Sequence, residues 1–287
     1  MLKVCVGVFT YNQALFIREA LDSILAQKTN FLFEVLVHDD CSTDGTREIV
    51  QEYVEANPGR VRAILQSENQ FSQGRRILQI ILPEMTGKYF ALLDGDDFWN
   101  SDRKLQTQAD FLDTHPDCAL CQTKTLYYSE ASRRVYRAFP RPWRRRKRLY
   151  CGDLAAGNFI QTSAVMFRSD ALPTFPPEFG ALKFGDYPFF ALLAQSGWIG
   201  YIDEPMTTYR AHGNNLWHRT PRKPRVEATR EVVRFLAAHL DPAHRQPWVD
   251  AANAPEWLSS SGTLMRILAL TRDMRAQILH LLRLKAR

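Results

Sequence analysis

The sequence predicts an α/β fold: a mostly parallel central sheet flanked by helices, followed by a helical appendage. Three observations carry this expectation. Apolar residues switch between a strand-like and a helix-like period through the first hundred positions, and the helical stretches are long enough to cross between parallel strands. From about residue 220 the pattern is helical and amphipathic only. A chain of 287 residues can bury one sizeable core with an appendage, which suggests a division at 1–220 and 221–287, with halves 1–100 and 101–220 inside the first.

The elements follow in order. "KVCVGVF" (3–9) reads as a buried strand, and "ALFIREALDSILAQ" (14–27) sets Leu15, Ala20, Leu21, Ile24 and Leu25 along a helix face. "FEVLVH" (33–38) is again a strand, and "TREIVQEYVEAN" (46–57) a helix closed by Pro58 and Gly59. "VRAILQ" (61–66), a helix over about 72–84 and "KYFALLD" (88–94) complete another round. Beyond residue 100 the order changes. A helix near 102–114 precedes β-rich segments near 118–128 and 160–168, then a helix near 186–196 and a short strand, "WIGYID" (198–203).

Composition excludes several classes. With 45% hydrophobic and 24% charged residues the chain is not globally disordered. No apolar run approaches the ~20 residues of a membrane-spanning helix, and "MLKVCVGVFTYNQ" has no signal-peptide pattern, so a cytoplasmic protein is expected. Five cysteines, an odd number, point to free thiols; Cys118 and Cys121 form a CxxC, but three apart on a strand they are expected on opposite faces, unsuited to zinc. The net charge of +6 is local, concentrated in "RPWRRRKR" (141–148) and in the tail. That tail carries Leu264, Ile267, Leu268, Met274, Ile278, Leu281 and Leu282 at near-helical spacing, suited to packing on the domain or lying on a membrane surface.

Polar groups gather where ligands of parallel sheets bind, at the strands' carboxyl ends. Thr10, Tyr11 and Asn12 follow the first strand, Asp39 and Asp40 the second, and Asp94, Gly95, Asp96 and Asp97 the fourth. Crowded carboxylates repel unless a cation or strong donors offset them, and a hard divalent ion shared with phosphate oxygens would do so. Gly95 would remove bulk where the ligand approaches. Each piece has an ordinary alternative: Ser42, Thr43 and Asp44 are good helix caps, and "DGDD" suits a turn. Their spacing and strand placement together favour a ligand site.

The segments "VGVFTYNQALFIREALDSILAQ", "FEVLVHDDCSTDGTREIV" and "GKYFALLDGDDFW", in this order, resemble the nucleotide-sugar-binding half of family 2 glycosyltransferases. The resemblance covers roughly residues 3–215 and implies the Rossmann-like GT-A fold. It implies that Thr10, Tyr11 and Asn12 line a base pocket, with Tyr11 offering an aromatic face. Asp39 would accept a hydrogen bond from a uracil-like or thymine-like imide, so the donor would be a UDP- or dTDP-sugar. Asp94 would hold the ribose or help a metal, Asp96 would bind Mn²⁺ or Mg²⁺ bridging the diphosphate, and Asp97 would support these groups from behind.

The same resemblance assigns the general base to Asp186 in "FGDYPFFALLAQSG", with Gly185 standing where many members have Glu. It places Thr162 and Ser163 on an acceptor-side strand in contact with substrate. In "TTYRAHGNN" it implies that His212 completes the metal's ligands and Arg210 faces the diphosphate. Inversion is likewise implied by the resemblance, and a saccharide or lipid-linked saccharide acceptor, in bacterial surface-glycan assembly, is its commonest setting. The QxxRW-type motif of processive members is missing. The basic run suits an anionic acceptor or membrane surface, with no RNA-binding signature and no nucleic acid expected. A sugar nucleotidyltransferase or a silent nucleotide-binding module are the alternatives; the first normally has a Gly-rich basic loop where "FTYNQALF" stands.

Overall fold

The computed structural model describes residues 2–140 and 148–254. Strands β1 (Leu2–Thr10), β2 (Leu32–Asp39), β3 (Val61–Leu65) and β4 (Tyr89–Asp94) pair in parallel in the spatial order β3-β2-β1-β4. Helices α1 (Ile17–Leu25), α2 (Thr46–Ala56) and α3 (Ile77–Ile81) make the crossovers. Both faces of this sheet are covered, so its strands alternate between two apolar cores rather than between core and water. Val4, Val6 and Val8 enter one core and Cys5 the other; Tyr89, Ala91 and Leu93 oppose Phe90 and Leu92 in the same way.

The second half extends the sheet with mixed polarity. It contains β5 (Phe98–Trp99), α4 (Lys104–Thr114), β6 (Cys118–Ser129), β7 (Arg134–Phe139), β8 (Arg148–Leu149) and α5 (Cys151–Leu154). Then come β9 (Val165–Arg168), α6 (Asp186–Leu193), β10 (Trp198–Ala211), α7 (Leu216–Arg219), α8 (Arg222–His239) and α9 (Pro242–Ala252). The sheet continues from β4 as β9-β6-β10-β5, with β9 antiparallel to both neighbours and β10 parallel to β6. Val232, Leu236 and Trp248 of α8 and α9 share one core with Phe179, Phe189 and Phe190.

Several expectations change here. The helix expected over 72–84 is only α3 and a following 3-10 turn, because the N–H groups of Gln70 and Phe71 go to Asp40 and Gly74 takes a left-handed φ of +79°. Helix α1 starts at Ile17, leaving Leu15 90% exposed in the preceding turn. Strand β10 runs on to Ala211 instead of stopping at 203, because the ladder absorbs Pro205 in a register irregularity and resumes at Thr207. Strand β7 was not expected at all. A register shift at the start of β6 turns Cys118 and Cys121 into the same core, against the expected opposite faces; both thiols are buried and raised in pKa by burial. Apart from Arg148, the basic run lies outside the described residues, as does the chain from Pro255. Among the described residues no helix is long and apolar enough to cross a membrane.

Candidate active site

The carboxyl ends of β1, β2 and β4 meet along one side of a cleft of about 1880 Å³, larger than the few hundred to about 1000 Å³ of a usual single-ligand pocket. Tyr11, 49% exposed, and Thr10 line it, and the Thr10 hydroxyl has no hydrogen-bond partner although buried. Asn12 turns away from its expected place. At φ +52°, its side-chain Oδ1 accepts the Thr43 N–H at 2.8 Å while its backbone N–H donates to Ser42 Oγ, so it fastens the next loop, and Gln13 lines the cleft instead. Asp39 pairs in register with Thr10 and is fully buried; one carboxylate oxygen accepts the Ser42 N–H at 3.1 Å, and the other, Oδ1, has no partner. Asp40 accepts the N–H groups of Gln70 at 2.7 Å and Phe71 at 3.1 Å.

The loop after β4 is organised by different partners. Asp97 is buried and accepts Ser163 Oγ–H at 2.6 Å and the Arg210 N–H at 2.9 Å, so it braces the loop from below. Ser163 is thereby a buried support for Asp97 rather than a substrate contact; Thr162 beside it does line the cleft. Together they form a 3-10 turn ahead of β9, not part of the strand expected over 160–168. Gly95 is required by the protein, not by a ligand: a Cβ there would stand 2.6 Å from Gln13 Oε1 and 3.0 Å from the Phe9 carbonyl. Arg210, expected to face a diphosphate, spends its guanidinium on Glu19, Glu130 and the Asp96 carbonyl, and so ties α1, the turn after β6 and this loop together.

His212 does meet Asp96: its Nε2 lies 2.9 Å from Asp96 Oδ2, which also accepts Asn215 Nδ2–H at 3.0 Å. Asp96 Oδ1 and the Asp94 carboxylate accept no hydrogen bond among the described residues. Desolvation first, then the facing charges of Asp96 and Asp186, push Asp94 up to about 8. Asp97 is raised well above the usual range by burial and by Asp96 and Asp94. Asp186 opens α6 at its first helical position, and the N-cap is Gly185, which has no side chain to cap with. Burial raises its pKa, and its carboxylate accepts a hydrogen bond from Asn158 Nδ2 at 3.5 Å.

A group missed in the sequence is Arg76. It lines the cleft, is 9% exposed, and lies over Phe71 at 5.3 Å with no acid beside it among the described residues; burial lowers its pKa. A Cβ on Gly185 would touch its Cδ at 3.6 Å, so the glycine leaves this buried cation without a carboxylate at that position. Only its place inside a segment expected to be helical concealed it.

The family description Glycosyl transferase family 2 matches residues 5–172, more than half of the chain. The chain belongs to this family. An uncharacterized protein of Mycobacterium tuberculosis, Rv1520, is 35% identical over 209 residues, 73% of this chain and 59% of its own length, so the chain spans about three fifths of that curated relative. The poly(ribitol-phosphate) β-N-acetylglucosaminyltransferase TarS of Staphylococcus aureus is 36% identical over 118 residues, 40% of this chain and 20% of its own. Its crystal structure with UDP superposes with a TM-score of 0.65 at 22% identity, over 96% of this chain and 77% of that one. The mannosyltransferase PcManGT of Pyrobaculum calidifontis, with GDP-Man and Mn²⁺, gives 0.62 at 20% identity, over 99% and 81%. These superpositions confirm the GT-A fold expected for a family 2 chain.

For a divalent ion the residues present fit, although no group of three or more potential ligands is preassembled among the described residues. Asp96 has an oxygen without a donor, Asp94 lies electrostatically against it, and His212 stands beside it. Hard oxygens with one imidazole suit Mn²⁺ or Mg²⁺, which in nucleotide sites take one or two carboxylates and complete their coordination with phosphate oxygens and water.

Proposed function

We propose that this chain is an inverting, metal-dependent glycosyltransferase. It would move a sugar from a UDP- or dTDP-sugar to a hydroxyl of a saccharide or lipid-linked saccharide. One observation carries the reading: a single cleft joins Asp94 and Asp96 to Asp186 at the start of α6, with room for two substrates. Thr10 Oγ and Asp39 Oδ1, buried without partners, are the polar atoms that a pyrimidine's imide edge would satisfy. Tyr11 would stack on the base, and Arg76, short of a counter-charge, would meet phosphate. Asp96, His212 and Asp94 would hold Mn²⁺ or Mg²⁺, which when bound supplies Lewis-acid stabilisation of the departing diphosphate. That TarS is seen with UDP and PcManGT with GDP-Man and Mn²⁺ supports a nucleotide-sugar donor and a divalent ion, without choosing the base.

In the transfer, the acceptor oxygen bonds to the anomeric carbon as the bond from that carbon to the diphosphate oxygen breaks. The electron pair leaves with the diphosphate, and the hydroxyl proton passes to the Asp186 carboxylate. A base whose pKa is raised by burial suits this task better than an exposed aspartate. The TarS name, with its polymer acceptor, supports a place in glycan assembly, with bacterial surface polysaccharide the favoured setting and an anionic membrane surface a further partner. The test is turnover of a UDP-sugar panel with Mn²⁺. Asp96→Ala should lower it by about a thousandfold or more and abolish metal-dependent nucleotide binding. Asp186→Asn should lose about 10²–10⁴ in transfer with nucleotide affinity kept. Wild-type turnover in either variant refutes the role given to that residue.

A further inference from the structure

The cleft carries both signs of charge. Beside Asp40, Asp94, Asp96 and Asp186, its lining includes Lys183 ahead of α6, Arg219 of α7, and Arg222, Arg225 and Arg234 of α8. Arg234 pairs with Glu227 at 3.2 Å, but Lys183, Arg219 and Arg222 form no ion pair among the described residues. The placement of these cations is itself unfavourable. Arg222, Lys223 and Arg225 occupy the first turn of α8, with no acidic residue there and no side-chain cap, where the helix dipole disfavours positive charge. Aromatic faces stand among them: Trp217, 48% exposed, lies 5.2 Å from the Phe184 ring, and the Arg225 guanidinium is 5.2 Å from the Trp217 centroid. Lys183 and Phe184 lead directly into Gly185 and Asp186, which ties this rim to the acceptor side.

A nucleotide-sugar diphosphate bridged by a divalent ion is nearly neutral and has Arg76 close by, so it leaves this cluster unmatched. We infer that the α7–α8 rim binds a phosphate-bearing acceptor, the guanidinium groups holding phosphate and Trp217 with Phe184 carrying the sugar face. This rests on the glycosyltransferase reading and specifies its acceptor class. The groups line a concavity rather than a flat face, which favours a saccharide over a membrane surface.

The test uses the full chain, calorimetric titration, and saturating UDP and Mn²⁺. Glucose 1-phosphate and geranyl pyrophosphate represent a phosphorylated sugar and a lipid pyrophosphate; methyl glucoside is the neutral control. At least one anion should bind about tenfold or more tighter than methyl glucoside, and whichever does identifies the source of the phosphate. Arg222→Glu with Arg225→Glu should weaken it by about tenfold or more while UDP–Mn²⁺ affinity stays within about twofold. Both changes favour the helix dipole, so folding is kept, and an unchanged Tm checks it. Equal binding of neutral and anionic probes, or unchanged anion binding in the variant, overturns the inference. Parallel loss of UDP affinity also overturns it, assigning the rim to the donor. Arginine-dependent anion binding by a wild-type chain that ignores UDP supports the rim site and sinks the donor reading instead.

Discussion

The two acidic doublets, Asp39–Asp40 after β2 and Asp96–Asp97 after β4, divide their work in the same way. In each, one aspartate has both oxygens engaged by the protein. Asp40 takes two backbone N–H groups from residues 70 and 71, and Asp97 takes Ser163 and the Arg210 N–H. The other aspartate keeps one oxygen without a donor, Oδ1 in both Asp39 and Asp96. A doublet is thus a brace and a contact with an oxygen to spare, although in the first doublet it is the brace, Asp40, that lines the cleft while Asp39 is fully buried. The loops differ in what the brace fastens. Asp40 ties down a local loop, whereas Asp97 joins β4 to the distant β9 and β10 regions.

Removing either brace should have the largest effect on stability. Asp40→Ala strands two N–H groups, and Asp97→Ala strands a hydroxyl and an N–H, so each should lower the unfolding free energy by about 2–4 kcal/mol in urea titrations. Asparagine should separate the two loops. At position 97 it still accepts the Arg210 N–H and donates to Ser163, whose hydroxyl can turn to accept, so most of the loss is recovered. At position 40 it accepts only one of two N–H groups and recovers about half. Equal rescue at both positions would break the comparison.

A smaller effect is expected at the contact residue of the first doublet. Asp39→Asn keeps the Ser42 bond with its carbonyl and turns an NH₂ toward the orphan position, donor against imide donor. Nucleotide affinity measured by titration should fall by about tenfold, with stability changed by under about 1 kcal/mol. A pH-dependent effect is expected at α4, where buried Lys104 donates to Gln108 at 2.6 Å and lies 4.1 Å from the Trp99 ring centroid. Burial lowers this amine to about 7 from its usual 10.5, so between those values the unfolded chain binds more protons than the folded one. Stability should therefore rise with pH across that window, by at most about 1.4 kcal/mol per unit, with the penalty fully present below about pH 7. Lys104→Met should flatten the rise in Tm between pH 7 and 9 relative to wild type; an identical slope would remove Lys104 as its cause.

The first half of the fold was legible because each strand and helix there declares itself within a short window. Val4, Val6 and Val8 with Cys5, or Ile17, Ala20, Leu21 and Ile24, need no distant information to be assigned. The second half was less so. Strand β10 looked finished at Asp203 because Glu204 and Pro205 read as a break, yet pairing with β6 carries it on to Ala211. The helix expected over 72–84 shortened to α3 and a 3-10 turn because Asp40, thirty residues away, holds residues 70 and 71 in a loop that turns at Gly74 with a left-handed φ.

The sequence by itself determined which chemistry was available: aspartates at strand ends, an aromatic after β1, a histidine in "RAHGNN", a basic C-terminal stretch. Local periodicity and residue type suffice for that, since both are properties of short segments. The division of roles was decided only by tertiary contacts. Whether Asp96 or Asp97, Asn12 or Gln13, Arg210 or Arg76 faces the cleft depends on which buried donors and acceptors find partners first. Those partners arrive from strands and loops far along the chain, and an unsatisfied buried group costs too much for them to be left to chance.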